Sequence, residues 1–437
     1  MCAEGIFNMS STIILLTLSV ALISGLLLTR LAKLLGLPAV TAYLVAGIII
    51  GPFCLGKLNV AGVGFTSLAS VNSFSILCDL ALGFIAFSIG NEFRLSQLKK
   101  IGKQATVIGI FQAIFTTVLV DIVLISLHFL IPNALPLPAA IILGAIASAT
   151  APAATLMVIK QYKAKGKLTD ILLPVVALDD AVGLVVFAIS FGVAQTISTG
   201  NVNVLSIILE PALEVILSLA LGAIMGFVFN FTERFFHSRS KRLAISVTYV
   251  MLTVAISSLK FEVGGIHIAF SSLLTCMMLG TIFCNICDLS EELMDRADRW
   301  TTPLYVLFFV LSGASLDFSV FAQISIIGVG IAFILSRSVG KYIGARLSAQ
   351  MTKCDDSIVK YLGITLLPQA GVAIGMATKA LQLGEVGIIV QSITLFAVLI
   401  YEMVGPYLTK ISLIKSGDIK PEERVSARHF HLFQKSK

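Results

Sequence analysis

Thirteen apolar runs, most of them close to the roughly 20 residues that cross a bilayer as a helix, constrain this chain more than any other feature. They lie near 12–29, 38–52, 69–90, 104–131, 138–159, 169–195, 203–232, 242–259, 264–286, 301–316, 321–345, 357–380 and 386–409, each bounded by Gly, Pro or charge. Backbone polar groups in hydrocarbon have no water to bond, and a helix satisfies them within its own segment. The expected fold is therefore an all-α polytopic membrane protein, with 1–437 forming a single membrane transporter domain. Composition agrees: only 13% of the residues are charged, against about 25% in soluble domains. The first run, Thr12 to Thr29, follows no basic stretch and reads as a retained span, not a cleaved signal.

The loops set an orientation. Of the 31 Lys and Arg residues, 26 fall on one side of the thirteen-span scheme, while Lys57, Lys260 and Lys379 fall on the other and Arg337 and Lys341 lie inside a span. Basic residues accumulate on the cytoplasmic side. The N-terminus is thus expected outside and the C-terminus in the cytoplasm, where 416–437 form a short basic tail. This distribution explains the net charge of +7 as topology, and it excludes a nucleic-acid surface. The seven cysteines are scattered and suggest no disulfide framework; Cys284 and Cys287 read as small residues at a helix end.

Order is repeated within the chain. "FSIGNEFRLS" (87–96) lies over "VLSGASLDFS" (310–319), "AGIIIGP" (46–52) over "TCMMLGT" (275–281), and "LGAIASATAPAATLMV" (143–158) over "LGITLLPQAGVAIGMA" (362–377). Each match pairs one span with the span seven further on, and an odd offset means that the second copy is inverted. The expected division is a first repeat over 12–195, a linker helix over 203–232 and an inverted second repeat over 242–409. Two of the paired spans are interrupted at corresponding places, by Pro152 in "SATAPAAT" and by Pro368 and Gly371 in "LLPQAGVAIG". Proline removes a donor and clashes with the preceding turn. Paired interruptions of this kind point to a transport site at mid-membrane, built from two crossed discontinuous helices.

Ionisable groups within the spans are few. Asp179 and Asp180 sit in "LLPVVALDDAVGLVVFAIS" (172–190), and Arg337 and Lys341 in the eleventh span. A carboxylate at the bilayer centre costs about 2.5–3.5 kcal/mol on insertion scales. Adjacent helical residues point about 100° apart, so one aspartate can meet a basic partner while the other faces a cavity. Arg337 and Lys341 share a face as an i,i+4 pair. Lysine can release its proton and arginine effectively cannot, so Lys341 suits a switchable ion pair, with Arg337 as the alternative partner. Thr150, beside the first break, offers a neutral oxygen to a hard cation such as Na+, together with Asp180. Asp79, Glu214 and Glu402 are expected near interfaces, Asp121 as a structural or mouth-lining acid, and His267 at the start of a span.

These residues resemble a known family. "LLGLPAVTAYLVAGIIIGP", "FIAFSIGNEF", "ATAPAAT", "VVALDDAVGLVVFAIS", "GKYIGARL" and "LLPQAGVAIG" are similar to the monovalent cation/proton antiporter superfamily, in its sodium/proton branch with paired aspartates. The resemblance implies a homodimer of thirteen-helix protomers in membrane lipid, each with a mobile core. It implies that Asp180 binds cation and proton, that Asp179 pairs with Lys341, that Thr150 is the threonine of the break, and that exchange is electrogenic. It implies no cofactor beyond the transported Na+ and H+. A K+/H+ antiporter or K+ efflux system of the same superfamily is the nearest alternative, and no soluble nucleotide-binding domain is expected in this chain. A sodium-coupled solute symporter is an alternative from another class. Enzymatic catalysis has no support, since no nucleophile–base pair or metal-ligand cluster is apparent.

Overall fold

A computed structural model describes residues 11–420 apart from 36, 59, 61–63, 92, 133, 200–203, 237, 260, 264–265, 269, 288 and 316–323. The basic tail beyond Lys420 lies outside the described residues. The first seven helices are α1 (Ser11–Leu34), α2 (Ala39–Ile50), α3 (Leu68–Asn72), α4 (Ser75–Asn91), α5 (Leu95–Leu130), α6 (Leu137–Ile146) and α7 (Pro152–Tyr162). Then come α8 (Lys167–Thr199), α9 (Val204–Glu233), α10 (Arg239–Ser257), α11 (Ser272–Ile286) and α12 (Ser290–Ala314). The last four are α13 (Ile324–Met351), α14 (Asp356–Thr365), α15 (Gly371–Ala380) and α16 (Glu385–Lys415). Every expected apolar run is occupied by a helix or by a pair of helices, and among the described residues seven helices are long and apolar enough to cross a membrane alone.

The fifth and twelfth runs are the divided ones that matter. α6 stops at Ile146 and α7 restarts at Pro152, whose missing N–H suits the first helical position. α14 stops at Thr365, and α15 restarts at Gly371 beyond Pro368. The third run is divided more lightly, into α3 and α4. The ninth run begins later than its apolar content suggests. Residues 261–263 and 266–268 form a two-stranded antiparallel ribbon with Val263 opposite Ile266, and His267 lies in its second strand. Gly264 and Gly265 between the strands form a strong hairpin signal, hidden by the apolar residues around it.

Two helix crossings are close enough to require glycine. A Cβ on Gly47 would lie 2.0 Å from the Val310 carbonyl oxygen, and one on Gly313 would lie 2.1 Å from that of Leu44, so α2 and α12 meet backbone to backbone. α4 and α11 meet in the same way, with Gly90 against Met277 and Gly280 against Phe87. These four helices, with α1, α9 and α10, pack on one side of the molecule, and α5, α6, α8, α13, α14, α15 and α16 pack on the other. α7 touches both groups. The start of α8 is fixed by the segment after α16: Asp418 accepts from the Thr169 N–H and hydroxyl, each at 2.7 Å.

Candidate functional site

The two breaks cross. The Ala151 N–H donates to the Pro368 carbonyl at 2.8 Å, which ties one extended segment to the other. Interrupting a helix orphans the carbonyls of its last turn, and side chains from elsewhere satisfy them here. Gln369 donates to Ile146 O at 2.9 Å. Arg337, from α13 and 0% exposed, donates through Nε to Ala147 O at 3.0 Å, through Nη1 to Leu367 O at 2.8 Å and through Nη2 to Ala149 O at 2.6 Å. Its guanidinium also lies 4.4 Å from the ring centre of Tyr401. Arg337 thus binds carbonyls from both broken helices at once.

Lys341, one turn further along α13, binds the next level. Its Nζ donates to the Ser148 carbonyl, to Thr150 Oγ1 at 2.9 Å and to Asp179 Oδ2 at 2.5 Å. Asp179 also accepts from the Thr150 hydroxyl and from the Gln112 side-chain amide on α5. Both oxygens of Asp179 are therefore occupied. Among the described residues the ion pair of Asp179 is with Lys341, while the hydrogen bonds of Arg337 all go to backbone. The Thr150 hydroxyl faces this pair, not the second aspartate.

Asp180 is placed differently. It is buried to 1% exposure, and among the described residues neither of its oxygens has a hydrogen-bond partner. It lines a cavity of about 240 Å³ whose border includes Leu184, Phe187, Glu214, Met376 and Lys379. A second cavity of about 240 Å³ reaches Pro152 and Gly371 at the breaks and is bordered by Asp79. Both cavities lie between the two groups of helices and share Ser271, Leu273 and Val372. Away from them, a polar contact at the Tyr162 end ties α7, which touches both groups, to the group that holds α4 and α12. Lys160 reaches Asp298 of α12 at 2.6 Å and also donates to Ser88 of α4.

A carboxylate with no hydrogen-bond partner among the described residues, one wall of a cavity and a neighbouring saturated ion pair can hold either a proton or a desolvated cation. Of the other acids, Glu402 is 3% exposed and its Oε2 has no hydrogen-bond partner among the described residues. Asp121 rests against Gly144 of α6. Sequence reasoning missed Gln112 and Gln369. The only signal for either was an amide in an otherwise apolar segment, which helix packing in membranes often uses.

Known proteins are similar to this chain in sequence and in fold. The Na(+)/H(+) antiporter NhaS4 of Synechocystis sp. is 24% identical over 420 residues, covering 92% of this chain and 98% of the relative. The high-affinity Na(+)/H(+) antiporter NhaS3 of the same organism is 24% identical over 339 residues, covering 70% of this chain and 69% of the relative. The fold matches the solved sodium proton antiporter MjNhaP1 of Methanocaldococcus jannaschii with a TM-score of 0.64 at 18% identity, covering 92% of this chain and 95% of that one. Residues 18–414 match the family described as sodium/hydrogen exchanger, transmembrane, and the chain belongs to that family of multi-pass membrane transporters.

Proposed function

We propose that this cation/proton antiporter exchanges H+ for Na+ (or Li+), with Asp180 as the carboxylate for which the two compete. The observation that carries the reading is the contrast between neighbours. Asp179 is saturated by Lys341, Thr150 and Gln112, whereas Asp180 has no hydrogen-bond partner among the described residues and borders a cavity. Occupation by Na+ requires the Asp180 carboxylate, and protonation expels the cation. If Asp179 leaves Lys341 to join Asp180 and Thr150 around the ion, Lys341 can give up a proton as well. Two protons would then move against one Na+, and exchange would be electrogenic. Arginine could not take that part.

The cavities on the boundary between helix groups, and the Lys160–Asp298 contact that ties the shared α7 to one of them, support an alternating-access cycle in which the groups shift past each other. The matched glycine crossings, α2 on α12 and α4 on α11, support an inverted repeat over 12–195 and 242–409 joined by the 203–232 helix. The exposed apolar face of α1, including Leu15, Leu16, Ile23 and Leu27, suits lipid or a second protomer of a homodimer. The basic-residue count supports a cell (plasma or inner) membrane location with the N-terminus outside and the C-terminus cytoplasmic. The test is proton flux in proteoliposomes on addition of Na+, Li+ or K+ in turn, with Asp180→Asn in parallel. Loss of cation-evoked flux in Asp180→Asn is expected; normal transport by that variant would overturn the mechanism.

A further inference from the structure

The path to Asp180 is bordered by two charges that the exchange mechanism does not use. Glu214, from α9, and Lys379, from the last turn of α15, line the same cavity as Asp180 and come from the two different helix groups. The backbone turn that carries Glu214 is anchored, and Lys379 lies beside a ring. The Ser218 hydroxyl, one turn after Glu214, accepts from the Ser271 N–H at 2.8 Å and itself donates to the Glu214 carbonyl, so this turn of α9 is pinned to the start of α11 on the cavity border. The Lys379 Nζ lies 6.0 Å from the ring centre of Phe191 on α8. Among the described residues no ion pair joins Glu214 to Lys379, so neither charge is neutralised by the other through direct contact.

A fixed charge on the wall of a narrow, mostly apolar cavity acts on ions more strongly than the same charge in bulk water, because low-dielectric walls focus its field. Lys379 alone would raise the energy of a cation approaching Asp180. Glu214 lowers it. We infer that Glu214 is an affinity-determining residue on the wall of the Asp180 cavity, attracting the incoming monovalent cation against the opposing charge of Lys379. The inference rests on Asp180 being the cation site, and it adds the residues that set how much cation reaches it. Among the described residues Glu214 shares no hydrogen bond with either aspartate, so its effect belongs in the apparent affinity and not in the turnover at saturation.

The experiment measures initial rates of Na+-evoked proton flux in proteoliposomes over a range of Na+, at low ionic strength and again with choline chloride added. For Glu214→Gln, KM for Na+ should rise by about 3- to 10-fold with kcat unchanged, and choline should shrink the difference, as screening requires. For Lys379→Gln, KM should fall. The double variant should return toward the parent, and Glu214→Asp should retain most of the parental affinity. An unchanged KM in Glu214→Gln, a fall in kcat with KM constant, or a KM change that choline does not reduce would each overturn the inference while leaving the antiport reading intact. Absence of cation-evoked flux in the parent itself would overturn the antiport reading and this inference with it.

Discussion

Arg337 should be a structural brace, and replacing it with lysine measures how much the crossing depends on its shape. The guanidinium donates to Ala147, Ala149 and Leu367 in three bonds of 3.0, 2.6 and 2.8 Å from three different nitrogens. A lysine at the same position keeps the charge but places one compact ammonium, which can serve one of these carbonyls well. Hydrogen bonds to a charged group contribute about 1.5–3 kcal/mol each, so two lost bonds predict a destabilisation of about 3–6 kcal/mol. Loss of the stacking on Tyr401 would add about 0.5–2 kcal/mol. Arg337→Met, which leaves all three carbonyls unserved, should lose more than Arg337→Lys. The assay is thermal denaturation of the detergent-solubilised protein, followed by the recovery of the monodisperse peak in size-exclusion chromatography. The expected order of midpoints is parent, then Arg337→Lys, then Arg337→Met. If Arg337→Lys melted together with the parent, the carbonyl clamp would not be what holds the broken helices in register, and Arg337 would have to be reconsidered as a partner of Asp179.

Two further outcomes follow from the packing. The Lys160–Asp298 pair is about a quarter exposed on each side, which puts its worth near the 0–1 kcal/mol of partly solvated ion pairs. Asp298→Asn should therefore leave the protein folded but shift the balance between access states by up to about 5-fold, read as a changed apparent KM for Na+ on one membrane face. Gly90 has no room for a methyl group, since its Cβ would sit 1.9 Å from the Met277 carbonyl oxygen. Gly90→Ala should force α4 and α11 apart and sharply lower the yield of folded protein after detergent extraction, whereas Gly375→Ala, which meets open space, should not.

Legibility in the sequence followed the range of the physics involved. The breaks at Pro152 and Pro368 could be read directly, because a missing N–H is a property of the residue and acts within one turn. So could the depth of Asp179 and Asp180, since hydropathy is summed along a single helix. The i,i+4 spacing of Arg337 and Lys341 established that they share a face, but not which would meet an aspartate. That depended on α13 lying alongside the α6–α7 break. Four residues advance a helix by about 6 Å, enough to put Arg337 on one set of carbonyls and Lys341 on Ser148, Thr150 and Asp179. Gln112 and the Lys160–Asp298 contact were hidden for the same reason: their partners are 67 and 138 residues away in the chain.

The placement of the two cations also bears on why the site contains one of each. A charge that serves only to satisfy orphaned carbonyls is best carried by a group that never loses its proton, and arginine with its fixed fork of donors meets that need. A charge that must release its aspartate during the cycle is better carried by a group that can become neutral. In this crossing the arginine bonds to carbonyls of Ala147, Ala149 and Leu367, and the lysine is the cation on Asp179. Exchanging the two should therefore fail in both directions. Lysine at 337 loosens the frame, and arginine at 341 locks Asp179 in a pair that cannot discharge.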